Sequence, residues 1–227
     1  MHVVFLIYPD VTQLDFTGPA QVLSRLPDAR IDLVWKTRDP VPTDAGFSVL
    51  PTATLAASDR ADILCVPGGM GCTTIMEDAE VLAWLARVGA HAKWVTSVCT
   101  GSLILAAAGL LTGYRATSHW AWHDYLPLFG VEPVRQRVVF DRNRATGGGV
   151  TAGIDFGFAL MAKIAGEEHA KLVQLGLEYD PAPPFDSGAP EKASPETMAG
   201  ISARYAALAS DRDARVRAVA EKLAAAA

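Results

Sequence analysis

The most informative stretch of the chain is Trp94-Val95-Thr96-Ser97-Val98-Cys99-Thr100-Gly101-Ser102. An apolar run of strand length ends abruptly at Cys99, and small residues typical of a helix follow at once. A strand that turns sharply into a helix predicts a nucleophile elbow, which would expose the Cys99 sulfur at the carboxyl edge of a sheet. The N-terminus of the following helix would lower the pKa of the thiol. A small buried side chain at a strand end is the alternative interpretation, but the elbow context favours a reactive cysteine.

Other apolar runs of strand length alternate with helical segments on both sides of this elbow. His2 to Ile7, Ile31 to Lys36 and Ile63 to Val66 are predicted strands, and Asp78 to His91 has helical apolar spacing. This alternation predicts an α/β fold with a doubly wound, mostly parallel sheet covered on both faces. In such sheets the ligand crevice lies outside the carboxyl ends of the strands, where Cys99 is expected.

Several local predictions complete the α/β region. Gly18-Pro19 is expected to begin a helix. Val131 to Val134 and Val138 to Phe140 are predicted to form a strand pair near an edge, and Thr146 to Gly149 a glycine-rich turn.

A single compositional break divides the 227-residue chain. We expect an α/β domain over residues 1–180 and a linker rich in Pro, Gly and charge over residues 181–194. Ser194-Pro195 then suits the start of a helical extension over residues 195–227. This extension is expected to be interrupted near Ser210-Asp211 and to act as an appendage or a dimer arm.

Composition limits the partners and the compartment. The net charge is -5 and the basic residues are scattered, which argues against nucleic acid or an anionic membrane as a partner. No apolar run reaches the roughly 18 residues of a membrane span. The N-terminal segment is typical of a first strand rather than a signal peptide. Three irregularly spaced cysteines do not suggest a disulfide framework, so we expect a reducing cytoplasm.

A cysteine nucleophile needs a proton-transfer partner. Asp15 is the first candidate, because it lies just beyond the first strand between leucine and phenylalanine. Apolar surroundings would raise its pKa toward a useful acid/base range; a helix N-cap is the alternative role. His119 is the second candidate, and its alternative role is that of a helix-start residue bonded to the loop.

Glycines and aromatic residues complete the set of candidates. Gly68-Gly69 and Gly147-Gly148-Gly149 follow strand-like runs, where backbone N–H groups can approach a substrate as in an oxyanion hole. Trp120, Trp122 and Phe16 could line an apolar pocket, although aromatic residues at such spacing are more often in a core.

The remaining cysteines are assigned no chemistry. Cys65 lies in an apolar strand and is expected in the core, whereas Cys72 is expected in a loop and partly exposed.

These motifs together resemble the ThiJ/PfpI superfamily. Pro67-Gly68-Gly69, the Val98-Cys99-Thr100-Gly101 elbow, Thr117-Ser118-His119-Trp120 and Thr146-Gly147-Gly148-Gly149 occur in the order of that superfamily, over residues 1 to about 177. Within it, the Leu-Asp-Phe-x-Gly-Pro loop that carries Asp15 and the Cys-Thr-Gly elbow resemble the isocyanide hydratases.

The resemblance implies a flavodoxin-like sandwich with class I glutamine amidotransferase-like topology that forms a homodimer. It also implies hydration of an isocyanide to an N-substituted formamide without metal or organic cofactor. Cys99 would attack the terminal carbon, and Asp15 would protonate that carbon to give a thioimidate and then activate water. Thr100 would hold the acid or the thiolate by a hydrogen bond. Backbone amides near Gly69 and Gly148 to Val150 would orient the bound species, with His119 and Trp120 as further substrate contacts.

Departures from other members narrow the choice. Protease-like members place His directly after the cysteine, where this chain has Thr100, and the late His169 lacks the His-x-Glu pair of class I glutamine amidotransferases. A glyoxalase- or deglycase-like activity stays open and would require His119 to act as a base near Cys99. A non-enzymatic thiol oxidation sensor or chaperone also stays open.

Overall fold

The computed structural model describes residues 1–208 and 211–226. Its strands are β1 (His2–Leu6), β2 (Arg30–Trp35), β3 (Val41–Pro42), β4 (Ser48–Val49), β5 (Ala53–Thr54), β6 (Ile63–Val66), β7 (Trp94–Val98), β8 (Arg115–Ala116), β9 (Glu132–Pro133), β10 (Val138–Asp141) and β11 (Arg144–Gly147). Its helices are α1 (Leu14–Leu23), α2 (Cys72–Met76), α3 (Ala79–Gly89), α4 (Gly101–Ala107), α5 (Ala152–Ala165), α6 (Glu167–Gly176), α7 (Pro195–Leu208) and α8 (Arg212–Ala226), with a 3-10 helix at His123–Phe129.

One central sheet organises the molecule. In the described part of the chain, seven strands form this sheet in the order β10-β11-β7-β6-β1-β2-β5. All neighbouring strands are parallel except β10 and β11, which are antiparallel. The central strand β6 is buried at every position, because helices cover both faces of the sheet. The predicted α/β class with a mostly parallel sheet is therefore confirmed.

The order of the strands places a crevice at the centre of the sheet. From β1 the chain crosses to β2 on one side, whereas from β6 it crosses to β7 on the other. Right-handed crossovers therefore put α1 on one face and α2 and α3 on the opposite face. The parallel strands β1 and β6 are neighbours, and the strand order reverses between them. A ligand crevice opens at the carboxyl ends of two strands arranged in this way.

Several local predictions are wrong in detail. The segments at Val131 to Val134 and Val138 to Phe140 do not pair with each other: β9 pairs with β8, and β10 pairs with β11. Thr146 and Gly147 lie in β11 rather than in a turn, because they extend the parallel sheet beside β7. Helix α1 begins at Leu14, four residues before the predicted start, so Asp15 lies in its first turn.

The C-terminal extension packs against the α/β body of the same chain. An ion pair joins Arg215 to both carboxylate oxygens of Glu77, at 2.9 and 2.7 Å, where α2 ends. Three apolar residues of α8 are buried in the core: Val216, Val219 and Ala220. The apolar side chains of the extension thus have a partner within the chain.

The predicted interruption near Ser210-Asp211 falls partly on residues 209 and 210, which lie outside the described residues. Among the residues that the structure does describe, no helix is both long and apolar enough to cross a membrane.

Candidate active site

Cys99 occupies a sharp turn between β7 and α4. Its φ of 58° lies in the left-handed region, which is strained for a residue with a side chain. Its backbone N–H donates to the carbonyl oxygens of Gly147 at 3.1 Å and Gly148 at 2.7 Å. A Cβ at Gly101 would collide with the carbonyl oxygen of Val66, so the turn requires glycine there. These contacts have the geometry of the predicted nucleophile elbow.

Asp15 is a fully buried carboxyl group beside this elbow. Its Oδ2 accepts a hydrogen bond of 2.8 Å from the Gly68 N–H. Its Oδ1 has no hydrogen-bond partner among the described residues. Burial raises the pKa of Asp15 to about 7, although the Gly68 N–H and the Cys99 thiol oppose the rise. The carboxyl group can therefore both release and accept a proton near neutral pH.

Cys99 and Asp15 lie close enough for each to shift the pKa of the other. Burial raises the pKa of the Cys99 thiol well above its usual value, and the negative charge of Asp15 raises it further. The Thr100 N–H opposes this effect, but it is outweighed, so the predicted lowering of the thiol pKa is wrong. At neutral pH the sulfur carries a proton, and the carboxyl group that ionises first is positioned to accept it.

The Gly68-Gly69 loop holds Asp15 and Thr100 together. The Gly69 N–H donates to Thr100 Oγ1 at 3.1 Å, much as the Gly68 N–H donates to Asp15. A Cβ at Gly68 would lie 2.6 Å from the Thr100 backbone nitrogen and 2.9 Å from Asp15 Oδ2. The loop therefore approaches both residues more closely than any side chain would allow.

Two of the backbone amides predicted to contact substrate, those of Gly69 and Gly148, donate to partners within the protein. The Gly69 N–H serves Thr100 as described, and the Gly148 N–H donates to the Arg137 carbonyl oxygen at 2.9 Å. Val150 is half-buried beside this segment, and its carbonyl oxygen accepts from the Gly153 N–H at 3.2 Å. What this segment demonstrably does is hold the Cys99 backbone through the Gly147 and Gly148 carbonyl groups.

His119 lies next to the same segment. A Cβ at Gly149 would stand 3.2 Å from His119 Cδ2, so the imidazole ring lies over that glycine. The Ala121 N–H donates to His119 Nδ1 at 3.2 Å. Burial, together with the nearby positive charge of Arg212, lowers the pKa of His119 to about 4. The imidazole is therefore neutral at neutral pH.

An aromatic cluster surrounds His119, and sequence reasoning identified only part of it. The Trp120 ring lies 5.5 Å from the His119 imidazole, as expected for adjacent residues of one motif. The third ring belongs to Tyr205 of α7, at 5.8 Å from both. Met198, Ile201 and Tyr205 are the half-buried residues of α7 at helical spacing. That spacing predicts that one face of α7 is packed, but it does not predict which residues the face contacts.

The other aromatic candidates have different surroundings. Phe16 and Trp122 are buried in the core. Arg212 stacks on Trp122 with its guanidinium carbon 4.7 Å from the ring centroid, which further attaches α8 to the body. Both residues thus fit the alternative interpretation of core aromatics.

The remaining two cysteines are buried, and each forms a hydrogen bond within the protein. Cys65 lies 2.7 Å from Thr96 Oγ1 in the core, as expected. Cys72 begins α2 and is buried, so the prediction of a partly exposed loop residue is wrong. Burial raises the pKa of each thiol to about 12. Among the described residues, no cluster of three or more His, Cys, Asp or Glu could hold a metal ion.

The fold and this site define a class of α/β protein with a cysteine at a strained strand–helix elbow and a buried carboxyl group beside it. The profile of the DJ-1/PfpI family matches residues 1–163, and the chain belongs to that family.

Individual relatives are similar over most of the chain. An isonitrile hydratase from Pseudomonas putida is 53% identical over 193 residues, which cover 85% of this chain and 85% of the relative. The crystal structure of a ThiJ/PfpI family protein from Pseudomonas syringae has a TM-score of 0.89 and 44% identity, covering 96% of this chain and 90% of that one. The HTH-type transcriptional regulator CdhR from Pseudomonas aeruginosa is 29% identical over 77% of this chain, but over only 53% of its own length.

Proposed function

We propose that this chain hydrates isocyanides to N-substituted formamides, with Cys99 as nucleophile and Asp15 as general acid and base. The observation that carries the proposal is the pairing of a buried carboxyl group, whose pKa is about 7, with the elbow cysteine. The isonitrile hydratase from Pseudomonas putida supports it, because the chain is 53% identical to that protein over 85% of both. The reaction class is that of a hydro-lyase.

In the first half of the reaction, a carbon–sulfur bond forms. The Asp15 carboxylate takes the proton from the Cys99 thiol as the sulfur attacks the terminal carbon of R–N≡C. The protonated Asp15 then delivers the proton to that carbon, which gives the thioimidate R–N=CH–S–Cys99. The thiol hydrogen thus becomes the formyl hydrogen, and Asp15 is again ionised and able to act as a base.

In the second half, water completes the hydration. Asp15 removes a proton from a water molecule, and the resulting hydroxide adds to the thioimidate carbon. Asp15 passes the proton taken from water to the nitrogen, the carbon–sulfur bond breaks, and the proton of the added hydroxyl passes to the sulfur. These steps release R–NH–CHO and restore the Cys99 thiol. The Gly69–Thr100 hydrogen bond would hold the Thr100 backbone N–H in place, and that N–H supports negative charge on the leaving sulfur. The balance is one isocyanide plus one water to one formamide.

The test is incubation with an aryl isocyanide while formamide formation is followed. Cys99→Ser should abolish turnover, and Asp15→Asn should reduce it by roughly 10²- to 10⁴-fold while Cys99 stays titratable by a thiol reagent. Cys65→Ser is the matched control, because Cys65 is equally buried and lies outside the site. Undiminished turnover by Asp15→Asn would contradict the acid/base assignment.

The structure favours neither alternative function. A glyoxalase- or deglycase-like mechanism needs a base at His119, whereas burial lowers the pKa of that imidazole to about 4 and its Nδ1 accepts from the Ala121 N–H. An oxidation sensor needs an accessible thiolate, whereas Cys99 is buried and its thiol pKa is raised.

The homodimer and the cytoplasmic location stay predictions. The buried face of α8 gives no support to a dimer arm, because it packs on its own chain. Leu172 and Leu175 of α6, which are 71% and 81% exposed, are available to a second copy. Sedimentation velocity of the wild-type protein and of a Leu172→Ser, Leu175→Ser variant tests the dimer.

A further inference from the structure

Helix α7 presents one face to the α/β body. Its half-buried residues include Met198, Ile201 and Tyr205, which are separated by three and four positions and therefore share one helical face. Most other residues of the helix are exposed. The face therefore has a definite location on the protein, and the ring of its member Tyr205 contacts His119 and Trp120.

The Tyr205 ring is packed by two residues of the Thr117–Trp120 motif. It meets the His119 ring edge to face, with centroids 5.8 Å apart and an interplanar angle of 80°. It meets the Trp120 ring at 5.8 Å and 46°. Both arrangements lie in the range of favourable aromatic pairs, so the three rings form one continuous surface, here called the aromatic wall.

The aromatic wall adjoins the reacting sulfur. His119 lies over Gly149, the residue after the two glycines whose carbonyl oxygens hold the Cys99 N–H. Ser118, one residue before His119, donates its hydroxyl to the Cys99 carbonyl oxygen at 3.1 Å. Burial raises the pKa of Tyr205, and an electrostatic interaction with the ionised form of Cys99 raises it further.

The aromatic wall is uncharged and only partly buried. The imidazole of His119 is neutral because burial lowers its pKa to about 4, and Tyr205 and Trp120 carry no charge at neutral pH. Each of the three residues is half-buried rather than enclosed. A flat apolar group on the isocyanide nitrogen fits this surface by stacking and by removal of apolar area from water.

We propose that Tyr205 is a specificity-determining residue of the Cys99 site, where its ring and the rings of His119 and Trp120 receive the aromatic R group of an isocyanide substrate. This inference rests on the proposed function, and it assigns the C-terminal extension a direct part in substrate selection. The buried residues of α8 and the ion pair of Arg215 with Glu77 attach the extension to the body.

The first experiment compares an aryl isocyanide with methyl isocyanide as substrates. Tyr205→Ala should raise KM for the aryl compound by about tenfold, since loss of an aromatic contact and its buried area is worth at least this much. The kcat/KM for methyl isocyanide should change by less than about threefold, and Tyr205→Phe should preserve the aryl KM. Tyr205→Leu, which retains bulk without an aromatic ring, should resemble Tyr205→Ala and guards against a folding defect in the smaller variant.

Tyr179→Ala is the matched control. This tyrosine stacks on Phe158 at 5.4 Å and donates to Asp155 at 2.6 Å, so its removal truncates a packed ring of the same kind outside the site. It should leave the ratio of aryl to methyl kcat/KM unchanged. An equal loss of kcat/KM for both substrates in Tyr205→Ala, or an unchanged ratio, would overturn the proposal.

A second experiment does not depend on hydratase activity. Cys99 is alkylated with iodoacetamide and with N-benzyl iodoacetamide, and the ratio of the benzyl rate to the small-reagent rate is measured. Tyr205→Ala should lower this ratio several-fold, because the benzyl group loses a stacking surface. A ratio that rises would mean that Tyr205 obstructs aromatic groups, which refutes the proposal. If the wild-type protein hydrates no isocyanide, the proposed function fails, while this ratio still decides the role of Tyr205.

Discussion

Replacing Asp15 by Asn should stabilise the folded protein at alkaline pH. Burial raises the pKa of Asp15 from 3.8 to about 7, so the folded state binds this proton more tightly than the unfolded state. The stability that the proton contributes is fully present below pH 3.8 and is lost as the pH rises through 7. At pH 8 the buried carboxylate therefore costs about 4 kcal/mol, from roughly 1.4 kcal/mol per pKa unit. Asparagine has the same shape, can accept from the Gly68 N–H and does not ionise.

The measurement is the free energy of unfolding in urea at pH 4, 6 and 8 for the wild type and for Asp15→Asn. Relative to the wild type, the free energy of unfolding of the variant should rise little at pH 4 and by up to about 4 kcal/mol at pH 8. Asp32→Asn is a control, for which the expected change in stability has the opposite sign. Burial raises the pKa of Asp32, but hydrogen bonds from His2 and Thr52 and the charge of Arg30 outweigh burial and lower it overall.

The Asp32 carboxylate therefore contributes stability that is present above its unfolded pKa and is lost as the pH falls. Its removal should destabilise the protein at pH 8 and matter less at acid pH. An Asp15→Asn protein that is less stable than the wild type at pH 8, or a difference that does not vary with pH, would refute the reasoning about the buried carboxyl group.

Further predictions concern the loop, the pH dependence of activity and the core. Gly68→Ala, whose Cβ would lie 2.9 Å from Asp15 Oδ2, should lower kcat about 100-fold through misplacement of the carboxyl group. Gly176→Ala, with nothing within 4 Å, should leave kcat unchanged in the same steady-state assay. The pH profile of kcat/KM should rise through about pH 7 as Asp15 ionises and fall only where Cys99 loses its proton; a flat profile across pH 6 to 8 would contradict this. Tyr8→Phe removes a buried hydroxyl that donates to a backbone carbonyl oxygen at 2.9 Å, and should cost about 1–3 kcal/mol in urea unfolding.

The parts of the fold that the sequence predicts best are those set by local pattern. The strands at Ile63–Val66 and Trp94–Val98 lie where their apolar runs predict them. The elbow at Cys99 follows from the abrupt change from a β-rich run to small residues. The burial of Asp15 and its raised pKa were predicted from its apolar neighbours, because desolvation depends on burial and burial is encoded by adjacent hydrophobic residues.

The features that sequence reasoning missed depend on contacts between distant segments. The β8–β9 pair joins Arg115 to Glu132 across a long connection, and no periodicity reports such a partner. Tyr205 lies 86 positions after His119 in the sequence, so its spacing on α7 predicts a buried face but not the residue that it meets. The pKa of Cys99 was predicted with the wrong sign because a helix N-terminus is a local feature, whereas enclosure of the sulfur and the charge of Asp15 are tertiary features.

The corrected pKa changes what kind of cysteine the elbow holds. A thiol that keeps its proton at rest is a poor target for oxidants, because oxidation proceeds through the thiolate. In the proposed mechanism, Cys99 attacks the isocyanide as Asp15 accepts its proton, and Asp15 can do so near neutral pH because burial raises its own pKa to about 7. Burial thus has two effects. It destabilises the ionised Asp15 carboxylate in the folded state, and it makes Asp15 a partner that can accept the proton of the sulfur and return it. The proposed hydration moves a proton onto carbon and then takes one from water, and it requires this coupling, whereas a redox sensor does not.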